Sequence, residues 1–339
     1  MPPPLSDAPT APGLPEILAN INILWVLAAV TGLTAIRLAL VPVKSGTARF
    51  WAEILESGMI AIALVFLIIR PFVLQAFFIP SPSMEPTLLG KNNAGDHILV
   101  NKFAYRVGKP QRDDVVVFLA PPAAMEGDPE FIKRLIGLPG DRLQAVGGYV
   151  TVNGRLFNHA DLRQALAVAG DFGPEVQANG GVVDQADHHV RFVDGGVLAD
   201  KRLIPVGQLA GILTGQPDLP ATVHPGYVIR NGQRQAEPFI AEDPDYDLTL
   251  FHGEPLKHNY DPTQATYKWG DQQISPTEYM KDAAAPTEPV PAGHYLMMGD
   301  NRNDSNDGTN WGPLEAKRVV GKAEIIFFPP TRIGLIRNH

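Results

Sequence analysis

The chain contains no cysteine in 339 residues. That excludes disulfides, thiol nucleophiles and the sulfur-rich zinc sites, and it fits an oxidising compartment. No lysine- or arginine-rich block is present: 28 basic residues stand against 36 acidic ones, for a formal net charge of -8. Nucleic acid is therefore not expected as a partner. A mean hydropathy of -0.02 does not suggest a protein built largely of membrane spans, so any membrane segments must be few and local. There is no G-x-S-x-G elbow and no carboxylate–histidine spacing of the zinc-ligand kind. No metal and no cofactor is expected. Glycine and proline are abundant, at 32 each, which argues for many turns and a β-rich body.

Residues 1–16 hold Pro2, Pro3, Pro4, Pro9, Pro12 and Pro15 and few large apolar groups, and read as a disordered tail. Residues 17–36 are uncharged for 20 positions, with Trp25 inside, and have the length of a first transmembrane helix. Asp7 and Glu16 precede this stretch in place of basic residues, which argues against a cleavable signal peptide. Residues 37–53 carry Arg37, Lys44 and Arg49 and read as a basic cytoplasmic loop. A second transmembrane helix is expected over 54–72, with the apolar run Ser57–Ile69 at its centre and Arg70 snorkelling to an interface. The topology that follows is a multi-pass protein of the inner (cytoplasmic) membrane. Its N-terminus and everything after about residue 72 lie on the outer side.

Past Asp96 the pattern becomes that of strands. Short apolar runs at 97–103, 114–118, 131–137, 149–154, 294–300 and 319–328 are bounded by Gly, Pro and charge. They divide into a first core part over 73–155, an inserted and accessory β-rich region over 156–290, and a second core part over 291–339. Gly148–Gly154 and Gly226–Gly232 agree at five of seven positions, each with an Asn-Gly hairpin turn. They are either two similar hairpins or a duplicated hairpin beside an insertion at 156–225. Ala160–Ala169 reads as a short helix. Residues 241–288 are polar and Pro-rich and are expected as extended surface structure.

One stretch is a candidate for chemistry. In Ile79–Leu88, Pro80, Pro82 and Pro86 exclude a regular helix and hold Ser81 and Ser83 on a stiff turn. A serine nucleophile needs a base. Nine histidines are present, but none sits in a serine-hydrolase signature. His97 falls in a strand, and His188 and His189 are expected as a solvated surface pair rather than a metal site. Lys133 is the better base. On a strand, Phe131, Lys133 and Leu135 share one face and Ile132, Arg134 and Ile136 the other, so a basic residue must lie on an otherwise apolar face. Burial disfavours the ammonium. Taking a lysine from about 10.4 to near 7 requires roughly 4–5 kcal/mol, which burial can supply. Lys102, in a similar strand, is a rival base.

These stretches together resemble the type I signal peptidases. Ile79–Leu88 resembles that family's serine box, and Gly95–Lys102 the box that follows. Phe131–Asp141 resembles the lysine box. Gly299–Arg302 with Ser305, Asp307, Trp311 and Gly312 resembles the last box. The four stand in the family's order over roughly 50–150 and 290–335. The resemblance implies a mainly β domain of antiparallel sheets, of the kind shared with self-cleaving repressor peptidases, preceded by two transmembrane helices. It implies a serine endopeptidase that cuts signal peptides from secretory preproteins delivered by the export machinery, at Ala-x-Ala-like sites, beside the lipid bilayer. Ser83 would be the nucleophile and Lys133 the general base. Ser81 and the Ser83 backbone N–H would stabilise the oxyanion. Ser305 would orient the Lys133 amine, and Asp307 and Arg302 would brace their loop. Phe77, Ile79, Met84, Leu88, Phe131 and Ile132 would line shallow apolar pockets. Two departures stand out: Asn303-Asp304 reverses the expected order, and Thr309 replaces an arginine often found there. Two rivals stay open, a non-catalytic membrane-tethered β domain and a self-cleaving Ser/Lys repressor-type peptidase.

Overall fold

The structure is a computed structural model that describes residues 23–40, 42–43, 45–69, 73–91, 95–169, 189–200, 202–251, 254–259, 267–269, 272–274 and 287–337. The expected tail at 1–16, the start of the first apolar stretch and the segment 170–188 of the insert lie outside these residues. All strand pairings among them are antiparallel, which bears out the mainly β fold. The chain divides into two compact units. One takes described residues up to Pro80, those within Asn92–Lys109, and Gly321–Ile336; the other takes Ser81–Lys91 and Pro110–Val320.

The first unit begins with helices Ile23–Leu40 and Gly46–Ala63. They run antiparallel: Arg37 pairs with Glu56 at 2.6 Å, and Thr34 Oγ1 donates to Met59 Sδ at 3.1 Å. The expected loop at 37–53 is thus helical over 37–40 and 46–53, because helix-compatible residues lie on both sides of the turn at Pro42 and Val43. No helix among the described residues is long and apolar enough to cross a membrane. The second helix starts at Gly46, well ahead of the apolar run, and carries Arg49, Glu53 and Glu56. Regular α-helix ends at Ala63 and gives way to a wider π turn over Leu64–Ile69. Beyond it, strands Leu74–Phe78 and His97–Asn101 pair, and His97–Asn101 pairs in turn with the 322–328 part of strand Val319–Phe328. Ile79 extends this pairing by donating to the Asp96 carbonyl at 2.9 Å.

In the second unit, strand Glu130–Gly137 lies between strand Val115–Leu119, with Val116 opposite Lys133, and strand His294–Met298, with Met298 opposite Arg134. Val115–Phe118 is buried throughout, as a continuous apolar run with both faces covered predicts. A second sheet begins from a long two-stranded ladder. Leu143–Val146 and Tyr149–Val152 on one chain segment pair with Tyr227–Arg230 and Ala221–His224 on the other, in one unbroken register. The two sequence echoes are the outer ends of this ladder. Both turn through Asn-Gly with positive φ at both residues (48° and 80° at Asn153 and Gly154, 53° and 79° at Asn231 and Gly232), the geometry such hairpins favour. Each echo therefore is a hairpin, and the chain from 158 to 220 is inserted between them. That insert packs onto the first hairpin: Leu162 and Leu166 of helix His159–Ala169 meet Phe192, Val197, Ile204 and Leu209 in one core with Val150, Val152 and Phe157.

The described residues within 241–288 are not surface structure throughout, contrary to expectation for this stretch. Tyr246–Phe251 and Glu254–Asn259 are paired strands, and Tyr246, Leu248, Leu250 and Leu256 are buried. The apolar positions alternate with Asp247 and Thr249, a period of two that the overall polarity obscures. Their core is shared: Leu143 and Ala145, Val228 and Tyr246, and Leu296 and Met298 lie in one cluster. The boundaries expected at 155/156 and 290/291 therefore do not separate independent cores.

Candidate active site

Ser81 is extended (φ -122°, ψ 151°), and Pro82 opens a single 3-10 turn over Pro82–Met84. Glu85 N donates to the Pro82 carbonyl and Leu88 N to the Met84 carbonyl, both at 2.9 Å. A Cβ at Gly90 would lie 1.6 Å from the Ser81 carbonyl oxygen, so only glycine lets the loop close on itself there. Met84 and Leu88 are fully buried and anchor the loop from beneath; they present no surface to a ligand. The loop holds Ser83 against the lysine strand. Lys133 Nζ donates to Ser83 Oγ at 2.6 Å, and Ser81 Oγ lies 3.2 Å from Ser83 Oγ. Ser83 and Lys133 are buried, while Ser81 is exposed.

Burial lowers the Lys133 pKa to about 8, against the opposing pull of Asp307, Asp300 and Asp304. The amine is thus free at mildly alkaline pH. Both basic residues of the strand prove to be buried. Arg134 points to the other face and meets Asp300 through two bonds, Nε to Oδ1 at 2.7 Å and Nη2 to Oδ2 at 2.6 Å. Arg134 also donates to Thr87 Oγ1 at 3.2 Å and to the Asp113 carbonyl at 2.8 Å, and Thr87 donates to Asp300 at 2.5 Å. One guanidinium thereby ties the serine loop, the lysine strand and the start of the 299–308 loop together. Its geometry is bidentate with the remaining donors used, the condition under which a buried pair is tolerated.

The 299–308 loop is braced from within. Asp307 accepts from Gly299 N at 2.7 Å, Thr309 N at 2.9 Å and Thr309 Oγ1 at 2.7 Å. Arg302 donates to the Gly299 carbonyl at 3.0 Å and forks onto Glu237 at 2.6 and 2.9 Å. Burial disfavours that guanidinium, but Glu237 outweighs it and the Arg302 pKa is raised. Phe239 lies under Arg134 at 4.1 Å and Arg302 at 5.9 Å. Asn303 explains its own departure from the family order. Its Nδ2 donates to Glu242 Oε2 at 2.9 Å and its Oδ1 accepts from Asp245 N at 2.9 Å. An aspartate there would face Glu242. A Cβ at Gly299 would meet Ser305 Oγ at 2.3 Å and the Ser83 carbonyl at 2.4 Å, so glycine is needed for Ser83 and Ser305 to flank it this closely. Ser305 Oγ is buried and has no hydrogen-bond partner among the described residues. The bond to the Lys133 amine expected of it is not formed.

The other sequence candidates lie elsewhere or differ in character. Lys102 donates to Gln75 at 2.9 Å in the first unit. His97 is packed among Phe78, Phe327 and Phe328 with centroids 5.2–5.8 Å away. Phe77 is half-buried and Ile79 buried, both in the first unit. Phe131 and Ile132 are half-buried beside Lys133, and the Lys133 ammonium lies 5.7 Å from the Phe131 ring. His188 falls outside the described residues. His189 is not the solvated surface group expected: it lies 3.8 Å from Glu85 and 3.9 Å from Glu242, and Glu85 chiefly raises its pKa. Among the described residues no cluster could hold a metal ion. Sequence reasoning gave no role to Arg134, Asp300, Thr87, Glu237 or Glu242. An arginine beside the lysine on a strand of buried character was the available signal for the first pair.

Comparison with known proteins fits this geometry. The family profile described as "Signal peptidase, peptidase S26" matches residues 51–202 and 222–328, more than half of the chain. Signal peptidase I of Aquifex aeolicus (strain VF5) is 27% identical over 286 residues, covering 81% of this chain and 83% of the relative. Signal peptidase I of Pseudomonas aeruginosa is 28% identical over 298 residues, covering 81% and 72%. Signal peptidase I of Mycobacterium tuberculosis (strain CDC 1551 / Oshkosh) is 27% identical over 309 residues, covering 88% and 78%. With the matched residues spanning the serine loop, the lysine strand and the 299–308 loop, the chain belongs to the signal peptidase family and is a serine endopeptidase of the type I signal peptidase kind.

Proposed function

We propose that this protein is a membrane-anchored endopeptidase that removes signal peptides from secretory preproteins by a Ser83/Lys133 dyad. The observation that carries the reading is the 2.6 Å contact between Ser83 Oγ and Lys133 Nζ, in a buried setting where the amine titrates near 8. Below that pH the ammonium donates to Oγ. Above it the free amine accepts the hydroxyl proton along the same line. Ser83 Oγ then bonds to the scissile carbonyl carbon, and the proton held on Lys133 passes to the departing amine. The acyl-enzyme that remains is hydrolysed when Lys133 takes a proton from water and the hydroxide adds to the ester carbonyl. Collapse returns the proton to Ser83 Oγ.

The oxyanion would be met by Ser81 Oγ and by the N–H of Ser83, which lies in the first turn of a helix where backbone donors lack intrahelical partners. Phe131 and Ile132 offer a shallow apolar surface beside the base, suited to alanine-sized side chains of an Ala-x-Ala substrate. The substrate's own apolar segment lies in the bilayer, and so would the helices Ile23–Leu40 and Gly46–Ala63. Their support is the apolar surface they expose: Leu24, Trp25, Leu27, Ile36, Leu38, Ile54 and Ile60. Such a patch is unfavourable in water and not in lipid. The uncharged sequence continues back to residue 17.

The test is cleavage of a preprotein by the full chain in detergent, after fractionation of cells. Activity should sediment with membranes and be released by detergent but not by salt. Ser83→Ala and Lys133→Ala should each lose at least about 10³-fold in kcat/KM, the scale seen when a member of such a catalytic unit is removed. Wild-type rates in either variant would refute the dyad. Activity in the salt-washed supernatant would refute the anchor.

A further inference from the structure

Behind the dyad stands a second partly buried lysine. Lys257, on strand Glu254–Asn259, directs Nζ to Thr309 Oγ1 and Asn310 Oδ1, both at 3.3 Å, and lies 4.1 Å from the Tyr246 ring centroid. Thr309 Oγ1 in turn donates to Asp307 Oδ1 at 2.7 Å, and the other oxygen of Asp307 accepts from Gly299 N at 2.7 Å. A cation, a hydroxyl and a carboxylate thus form a continuous chain that ends at the loop flanking Ser83. Among the described residues, both acceptors of Lys257 are on the helix Gly308–Trp311 that Asp307 caps.

The charges around this chain decide what it does. Facing the Lys133 amine are Asp307, Asp300 and Asp304, and Asp307 has the strongest pull of the three. The charge of Asp300 is already matched by Arg134 at 2.6 Å. Facing Lys257 are Asp307 and Asp245, with burial lowering its pKa against both. Facing Tyr246 are Asp307, Asp245, Arg302 and Glu237; burial keeps that phenol neutral, so it brings no charge. Among the described residues Asp307 itself accepts only from neutral donors, two amides and a hydroxyl. Lys257 is therefore the cation placed to offset it. We infer that Lys257 is a positioning residue for the Lys133 base: through Thr309 it holds Asp307 in place and offsets the field of that carboxylate at the Lys133 amine. This rests on the Ser83/Lys133 reading above.

The sign follows from electrostatics. Without the Lys257 charge, the field of Asp307 at Lys133 is more negative, the ammonium form is favoured, and the free amine appears only at higher pH. The test is the pH dependence of kcat/KM on a preprotein for the full chain in detergent. In K257Q the rising limb should move to higher pH by roughly half to one unit, about a three- to tenfold loss below the limb with little loss above it. K257R, which keeps the charge, should restore the wild-type limb. T309V should shift it in the same direction as K257Q, and it supplies the test alone should K257Q fail to fold. A uniform loss at every pH, or a limb at the wild-type position in either variant, would overturn the proposal. Failure of the dyad itself is read separately, from activity in Ser83→Ala or Lys133→Ala.

Discussion

Lys133 is 5% exposed, and at neutral pH it is a buried ammonium whose nearest hydrogen-bond partner is a neutral hydroxyl. A pKa lowered from 10.5 to about 8 by burial is a statement about stability as well as reactivity. Below pH about 8 the group is charged in both folded and unfolded chains, and the folded state carries the full net penalty, burial less the pull of the three aspartates, on the order of 3 kcal/mol. Between about 8 and 10.5 the folded amine is neutral while the unfolded one is still charged, so the penalty fades as pH rises. Lys133→Met should therefore be inactive yet more stable than wild type by roughly 1–3 kcal/mol at pH 7, after the lost bond to Ser83 is subtracted. Thermal unfolding in detergent should show the gap at pH 7 and show it closing toward pH 10. A variant less stable than wild type at pH 7 would mean that the amine is not held against its solvation preference.

At the scale of elements, the 299–308 loop depends on neighbours far away in the chain. Asn303 fastens it to the Glu242–Asp245 segment, and Glu242 also takes Arg163 at 2.7 Å and Val190 N at 2.7 Å from the insert. Asn303→Ala should cost about 1–3 kcal/mol and loosen the loop, because it leaves the Asp245 amide without its acceptor. Hydrogen exchange at Gly299–Asp307 amides should quicken while strand Val115–Leu119 stays protected. Unchanged exchange in the loop would show that this tie does not hold it. The same loop shows what can be read from sequence and what cannot. The lysine strand was legible because strand alternation forces a charge onto a buried face. The partner of Arg134, Asp300, stands 166 positions away, and local pattern says nothing about such a pairing. Asn303 looked like an irregularity until Glu242 was placed beside it. Thr309, in an arginine's expected place, binds Asp307 directly. The strand Tyr246–Phe251 was hidden by the polar residues on its outward face. Ser305 shows the opposite error: the family resemblance implied that it orients the Lys133 amine, but its buried Oγ has no hydrogen-bond partner among the described residues.

At the scale of the whole molecule, the sequence pattern called for an anchored protein with a β body, and the β body is the part the described residues bear out. The anchors stand as a proposal supported by exposed apolar helices rather than by a helix long enough to span. The catalytic claim is independent of that question, since the serine loop, the lysine strand and the 299–308 loop belong to one compact unit. It is tested most directly by the pH dependence of kcat/KM for the wild-type full chain on a preprotein in detergent. A lysine base titrating near 8 predicts a rate that rises about tenfold per pH unit below that value and levels off above it. A rate that is already level by about pH 7.5, as a histidine base of ordinary pKa near 6.5 would give, would contradict the assignment of Lys133.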